Sequence, residues 1–309
     1  MILVSVIIVN YNTKNLLKNC ISSIYNFTQN TNFEIIVVDN ASVDDSEKMI
    51  KDSFQEVVFI QSGANIGFGR ANNLGIKKAK GEFVFFLNSD TILINDAIGI
   101  LANYIVNNST VAVCGANLYD INEKPAISFS QNMPGLFTDL DYFFGGFFSR
   151  LYYKNNVIFN YSNLPLPING YISGANMMVR KSILENVGFF DPDFFMYYEE
   201  TELTWRIKNT GAKIVSVPEA RIIHLEGASE IIKENSIRRS NKSKYLYYEK
   251  TNQKYYINLS YYIFFLVALS RIVFFYLMKN QMKHKYWLNL LQWTKEDHVI
   301  YKKAKINNF

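Results

Sequence analysis

Cysteine is scarce in this chain of 309 residues: only Cys20 and Cys114 occur, far apart and outside any C-x-x-C pattern. A disulfide framework is disfavoured, and a reduced cytosolic setting fits better. Glycine is missing where a phosphate loop would need it, because Tyr11-Asn12-Thr13-Lys14-Asn15 after the first apolar run holds none. The later Gly67-Phe68-Gly69-Arg70 neither follows that first run nor completes G-x-G-x-x-G, which argues against a nicotinamide cofactor. Internal repeats and low-complexity stretches are lacking. The charge-free run Tyr255 to Ser270 falls short of the ~20 residues a spanning helix needs. Met1 to Val9 is apolar but has no basic leader or small-residue cleavage site, so it reads as a buried strand, not a signal peptide.

Apolar residues are plentiful. They make up 49% of the chain and aromatics 16%, enough for a large core in one α/β domain with an appendage. The net charge of +5 hides an asymmetry: residues 1–225 balance to −4, whereas residues 226–309 carry +9. Short β-rich runs at Val4–Val9, Phe33–Val38, Val57–Ile60 and Phe83–Leu87 alternate with helical spacings at Leu16/Cys20/Ile24, after Asp44, and over Ala71–Ala79. That alternation predicts a mostly parallel sheet with crossover helices. In such sheets ligands bind at the carboxyl ends of the strands. Here those ends are Asn10-Tyr11-Asn12, Asp39-Asn40-Ala41-Ser42, Asn65-Ile66-Gly67 and Asn88-Ser89-Asp90, all polar and on one rim. Residues 131–168, with Phe143-Phe144-Gly145-Gly146-Phe147-Phe148, read as a long aromatic loop covering a site. Order resumes with Ile172–Val179, a helix from Ser182, an acidic helix near Glu199–Lys208 and a strand at Lys213–Val217.

Three positions carry candidate chemistry. Asp90 sits at a strand tip, where a carboxylate can hold a divalent cation against a nucleotide diphosphate; Asn-Ser-Asp is equally a turn or helix-cap sequence. On a helix, Glu199 and Glu202 share a face and Glu202 pairs with Arg206, which leaves Glu200 to face a cleft as a general base, or to face solvent. His224 ends an alternating stretch from Val217, aimed at the same cation or simply packed. Nearby, Asp39 is placed to accept the imide N–H of a pyrimidine, Tyr11 to stack on it, and Arg70 to pair with phosphate.

Taken in order, these stretches resemble the family 2 glycosyltransferases, especially the rhamnosyltransferase-like branch of bacterial surface-polysaccharide synthesis. They are Val4 to Asn12, Val37 to Asp44, Asn65 to Asn73, Leu87 to Thr91, Ser173 to Arg180, Gly188-Phe189-Phe190-Asp191 leading into Tyr198-Glu199-Glu200, and Val217-Pro218 to His224. The resemblance covers residues 3–229. It implies a GT-A fold, Rossmann-like and binding a nucleotide-diphospho-sugar, with a nucleotide half over about 1–115 and an acceptor half over about 116–229. It implies a metal-dependent, inverting transfer from a dTDP- or UDP-sugar, with dTDP-rhamnose first, to a saccharide acceptor. On that likeness Asn88 and Asp90 contact the donor, Asp90 and His224 hold Mg²⁺ or Mn²⁺, Glu200 is the base, and Gly174, Ala175 and Glu199 shape the acceptor cleft. Two departures stand out: the family's D-x-D appears as Asn88-Ser89-Asp90, and its Glu-Asp pair as Glu199-Glu200. A sugar nucleotidyltransferase and a catalytically silent scaffold of the same fold are the alternatives.

The tail, residues 230–309, is basic and aromatic around its apolar run, with Arg238, Arg239, Lys242 and Lys244 before it and Lys279, Lys283 and Lys285 after it. This suits a helix on an anionic membrane surface. A helix packed on the body with a solvated basic face is the plainer reading. A lipid-linked acceptor and a peripheral place at the inner face of the cytoplasmic membrane would follow from the former. Nucleic acid is disfavoured, since no binding motif accompanies the charge.

Overall fold

Val4, Val6 and Ile8 alternate with Ile7 along β1 (Leu3–Asn10), and the two sets enter different hydrophobic layers. This strand is covered on both faces, which is why its sequence is almost continuously β-branched and apolar. The structure is a computed structural model, and it describes residues 3–225 and 233–306. After β1 come α1 (Lys14–Phe27), β2 (Asn32–Asp39), α2 (Ser46–Ser53), β3 (Val58–Gln61), α3 (Phe68–Ile76), β4 (Phe83–Asn88), β5 (Thr91–Leu93), α4 (Ala97–Asn107) and β6 (Val111–Tyr119). Next are β7 (Phe129–Ser130), α5 (Leu136–Phe143), α6 (Phe147–Tyr153), β8 (Leu166–Pro167), β9 (Tyr171–Ile172), β10 (Asn176–Arg180) and α7 (Lys181–Val187). The last elements are α8 (Glu199–Lys208), β11 (Lys213–His224), α9 (Lys233–Lys250), α10 (Tyr256–Leu277) and α11 (Gln281–Ile306).

The main sheet runs β3-β2-β1-β4-β10-β6-β11-β5, with β8 also on β11. β1 pairs in parallel with β2 and β4, β2 with β3, and β6 with β11; β10 is antiparallel to both its neighbours. Helix α1 buries Leu17, Cys20, Ile21 and Ile24, the i, i+3, i+4, i+7 stripe of an amphipathic helix, against the layer holding Val4, Val6, Ile8 and Phe85. Ala71, Leu184 and Leu203 fill the other layer with Ile7, Val84 and Phe86. Truncating one of these buried residues, such as Phe85, would cost about 3–5 kcal/mol. The two cysteines are free and buried.

Contacts divide the chain into two units. The first holds residues 1–133, 153–195 and 199–229, and contains the main sheet. The second holds residues 134–152, 196–198 and 230–309. In the second unit Arg238 joins α9 to α11 through Glu296 Oε2 at 2.5 Å and Asp297 Oδ1 at 3.0 Å. His298 of α11 is buried, its ring stacked 4.0 Å from that of Tyr261, and burial pushes its pKa down to about 4.

Two expectations change. Residues 131–168 are not a plain loop, because α5 and α6 occupy 136–153 and meet at a Gly145-Gly146 corner. Helix α10 continues through Arg271 to Leu277, so its 22 residues are long and apolar enough to cross a bilayer where the charge-free run alone is not. A single Arg does not interrupt helical geometry, whereas charge counting stops at it.

Candidate active site

Parallel pairing puts four strand ends in one row: Asn10 stands opposite Asp39, Asp39 opposite Gln61, and Val9 opposite Asn88. Asp39 is buried there, and its carboxylate accepts from Asn10 Nδ2 at 2.7 Å, the Ser42 N–H at 2.7 Å and Gln61 Nε2 at 3.3 Å. A carboxylate has about four lone-pair sites, so one acceptor position remains after these three bonds. Tyr11 stands on the same rim with 48% of its surface exposed. Thr13 Oγ1 donates to Asn10 Oδ1 at 2.6 Å and lies 2.9 Å from Ser89 Oγ, which extends a polar network from β1 to β4.

Asp90 stands just beyond the end of β4 and is buried. Its Oδ1 lies 3.3 Å from Nε2 of His224, and Asn88 Nδ2 lies 3.5 Å from the same nitrogen. The cause is backbone register: β5 runs antiparallel to β11 with Thr91 opposite His224, and the Leu225 N–H donates to the Asp90 carbonyl at 2.9 Å. Two donors 3.3 Å apart can reach one ion, and a carboxylate with an imidazole suits Mn²⁺ or Mg²⁺ when substrate oxygens complete the shell. Among the described residues no group of three or more His, Cys, Asp or Glu is gathered for a metal. The pair would therefore depend on a diphosphate for its other ligands.

Glu200 approaches the same rim from α8. A Cβ on Gly174 would sit 3.6 Å from the Glu200 Cβ and 3.4 Å from the Phe68 ring, ordinary contact distances that place Gly174 directly against both side chains. Its neighbour Ala175 accepts the Asn88 N–H at 3.3 Å, which ties this turn to the end of β4. The Glu200 residue is half-buried, its Oε2 is shut off from solvent, and that atom accepts no hydrogen bond among the described residues. A solvated helix surface is thus excluded. Burial pushes its pKa up to about 7. Glu199 is more deeply buried, beneath Gly69 of α3, and burial followed by the Glu200 charge holds its carboxyl far above the usual range. Glu202 forms the expected pair with Arg206, with both bonds at 2.8 Å, and Arg206 also donates to the Val187, Gly188 and Phe189 carbonyls. That side chain fastens α8 to the turn after α7.

Arg70 is exposed, and its Nε donates to the Pro192 carbonyl at 2.5 Å. Tyr171 carried no signal in the sequence, yet it lies near Glu200: burial and then the Glu200 charge raise its phenol. The pairing of the short strand β9 with β7 and its packing on α8 place it there, and two-residue strands leave no periodic signal. The Asn10, Thr13, Ser42 and Ser89 network was present in the quoted stretches, but nothing local marks those side chains as mutual partners.

The family model for glycosyl transferase family 2 matches residues 5–188. The low-salt glycan biosynthesis hexosyltransferase Agl10 of Haloferax volcanii is 28% identical over 225 residues, 71% of this chain and 66% of that protein. The dTDP-rhamnosyl transferase RfbF of Shigella flexneri is 25% identical over 231 residues, 73% of this chain and 70% of that protein. The matched region is shorter elsewhere, spanning 22% of the poly(ribitol-phosphate) beta-glucosyltransferase of Bacillus spizizenii. Among solved structures, the mannosyltransferase PcManGT from Pyrobaculum calidifontis, in complex with GDP-Man and Mn²⁺, superposes with a TM-score of 0.61 at 14% identity, over 96% of this chain and 86% of that one. GalNAc-T7 with UDP, GalNAc and Mn²⁺ gives 0.54 at 16% identity, over 80% of this chain and 50% of that one. The fold is the expected GT-A arrangement.

Proposed function

We propose that this chain, which belongs to glycosyl transferase family 2, moves a sugar with inversion from a nucleotide diphosphate to a saccharide hydroxyl. The observation that carries the reading is the approach of Asp90 to His224 on a strand rim that also receives Glu200. Residues 1–115 hold the nucleotide: Asp39 takes the base imide on its remaining lone pair, Tyr11 stacks on the ring, and Arg70 and Asn88 reach the diphosphate. The acceptor side falls within residues 116–229, in the part that belongs to the first unit, with Gly174 and Ala175 at its floor and Glu199 backing α8 from within. The Glu200 carboxylate takes the proton of the acceptor hydroxyl, whose oxygen then attacks the anomeric carbon as the bond to the diphosphate breaks. A site that raises this carboxyl to about 7 makes it a stronger base than an ordinary glutamate while leaving it ionised in part at neutral pH. Asp90 and His224 would hold a divalent cation, Mg²⁺ or Mn²⁺, which when bound would supply charge neutralisation for the departing diphosphate.

Support for the donor comes from the Shigella relative, a dTDP-rhamnosyl transferase, so dTDP-rhamnose is the first donor to assay and UDP-hexoses the second. The basic, aromatic unit at residues 230–309 supports a lipid-linked acceptor met at the inner face of the cytoplasmic membrane. The test is a thermal-shift screen of dTDP- and UDP-sugars with and without Mn²⁺. The reading requires a nucleotide-sugar to raise the midpoint and Mn²⁺ to enlarge the rise; a flat screen would overturn it.

A further inference from the structure

The α5–α6 corner is built to show aromatic rings outward. Gly145 and Gly146, at φ of 68° and 80°, reverse the chain in backbone conformations that side-chain-bearing residues avoid. The buried Asp141 carboxylate accepts the Phe148 N–H at 2.8 Å and the Ser149 N–H at 3.3 Å, and Arg150 donates to the Gly145 carbonyl. Those backbone groups, bonded internally, can leave water at little cost, and the exposed Arg150 guanidinium can stay at headgroup level. Its outer surface is a chain of edge-to-face phenylalanines, Phe143–Phe144–Phe148–Phe147, with ring centroids 5.1 to 5.5 Å apart. Phe144 and Phe147 are 55% and 59% exposed. A soluble surface seldom carries four such rings together.

The same unit holds a second apolar element. Helix α10 buries Ile257, Ser260, Ile263, Val267 and Ala268, and α5 and α11 pack against it. Its other side exposes Leu259, Tyr262, Leu266, Leu269, Val273 and Tyr276 at spacings of three and four, a stripe about 26 Å long. Only 22% of its most apolar stretch is buried. Lys279, Lys283 and Lys285 stand exposed beyond its end among Met278 and Met282, and Lys283 Nζ lies 5.3 Å from the Phe275 ring. The region from residue 226 onward carries +9, so a second copy would bring like charge against like. An anionic bilayer offers complementary charge together with an apolar interior.

We propose that the Phe143–Phe148 corner inserts into the headgroup–acyl boundary of an anionic bilayer beside the α10 stripe, with Lys279, Lys283 and Lys285 on lipid phosphates. This rests on the membrane-facing reading of the tail and adds an insertion lying far outside it in sequence. The test is vesicle co-sedimentation of the full chain, on phosphatidylcholine alone and mixed with phosphatidylglycerol. Wild type should pellet with the mixed vesicles and far less with the neutral ones. Phe144→Ser/Phe147→Ser should weaken binding about tenfold or more, with an unchanged melting midpoint, as surface substitutions allow. In parallel, Phe144→Trp should add, over the emission of the native Trp205, Trp287 and Trp293 in wild type, a blue-shifted component quenched by brominated lipid. Vesicle binding unchanged by the double substitution, with no quenched component added over wild type in the Phe144→Trp variant, would overturn the corner's role alone. Binding unchanged by Leu266→Ser/Val273→Ser would instead overturn the tail reading. A wild-type dimer in light scattering that Phe144→Ser/Phe147→Ser converts to monomer, without vesicle binding, would assign the face to a second copy and refute the proposal.

Discussion

Asp90 Oδ1 lies 3.3 Å from His224 Nε2, and the pairing of Thr91 with His224 across β5 and β11 enforces that approach. Neither residue needs a flexible side chain to find the other, since both project from hydrogen-bonded backbone. The pair forms the part of the rim suited to a cation.

Asp90→Ala should lower the affinity for a nucleotide-sugar at least about tenfold, ~1.4 kcal/mol, in Mn²⁺ or Mg²⁺ and barely at all in chelator. Titration calorimetry in both conditions checks this. Equal affinity of wild type with and without metal would remove the assigned role.

Glu200→Gln should cut transfer by ~10²–10⁴-fold while donor affinity stays nearly constant, because the amide keeps the shape and cannot take a proton. Single-turnover transfer and donor titration on the same preparation separate the two effects. Undiminished turnover would exclude Glu200 as the base.

The wild-type rate should fall as pH drops below about 7, where Glu200 becomes protonated. The stability consequence has the opposite sense. A carboxyl whose folded pKa is raised above the unfolded value of ~4.3 contributes stability fully present below that value and lost as pH rises through the folded pKa. Glu199, raised more strongly by burial, is the larger contributor to this loss. Glu199→Gln should therefore raise the melting midpoint in mildly alkaline buffer and scarcely change it in acid. An equal shift at both pH values would contradict the assignment.

Gly67→Ala should destabilise the fold by about 1–3 kcal/mol, measured by urea denaturation. Gly67 has a φ of 88°, and an added Cβ would fall 2.2 Å from the Phe195 carbonyl oxygen, the acceptor of the Phe68 N–H. Wild-type stability in the variant would mean that this turn relaxes freely.

The strands and their tips were legible because they are local. Val4–Val9 and Phe83–Leu87 have the unbroken apolar character of strands covered on both sides, and Asn10, Asp39, Asn88 and Asp90 stand where that character stops. The Glu202–Arg206 pair was equally readable, being one helical turn apart. The corner at residues 143–148 was not. Its helices are too short for periodicity to register, and a Gly-Gly between phenylalanines reads as loop until Asp141 is seen closing it.

Residue order by itself determined the alternating α/β frame, the polar rim and which carboxylates stand on it, since side-chain period and strand ends are written within a few neighbouring positions. Tertiary structure alone decided that His224 meets Asp90, that Tyr171 lies near Glu200, and that packing around the Glu200 carboxyl raises its pKa to about 7. Those facts depend on the register between strands distant in sequence and on the desolvation of packed groups, quantities that no local window of the chain contains.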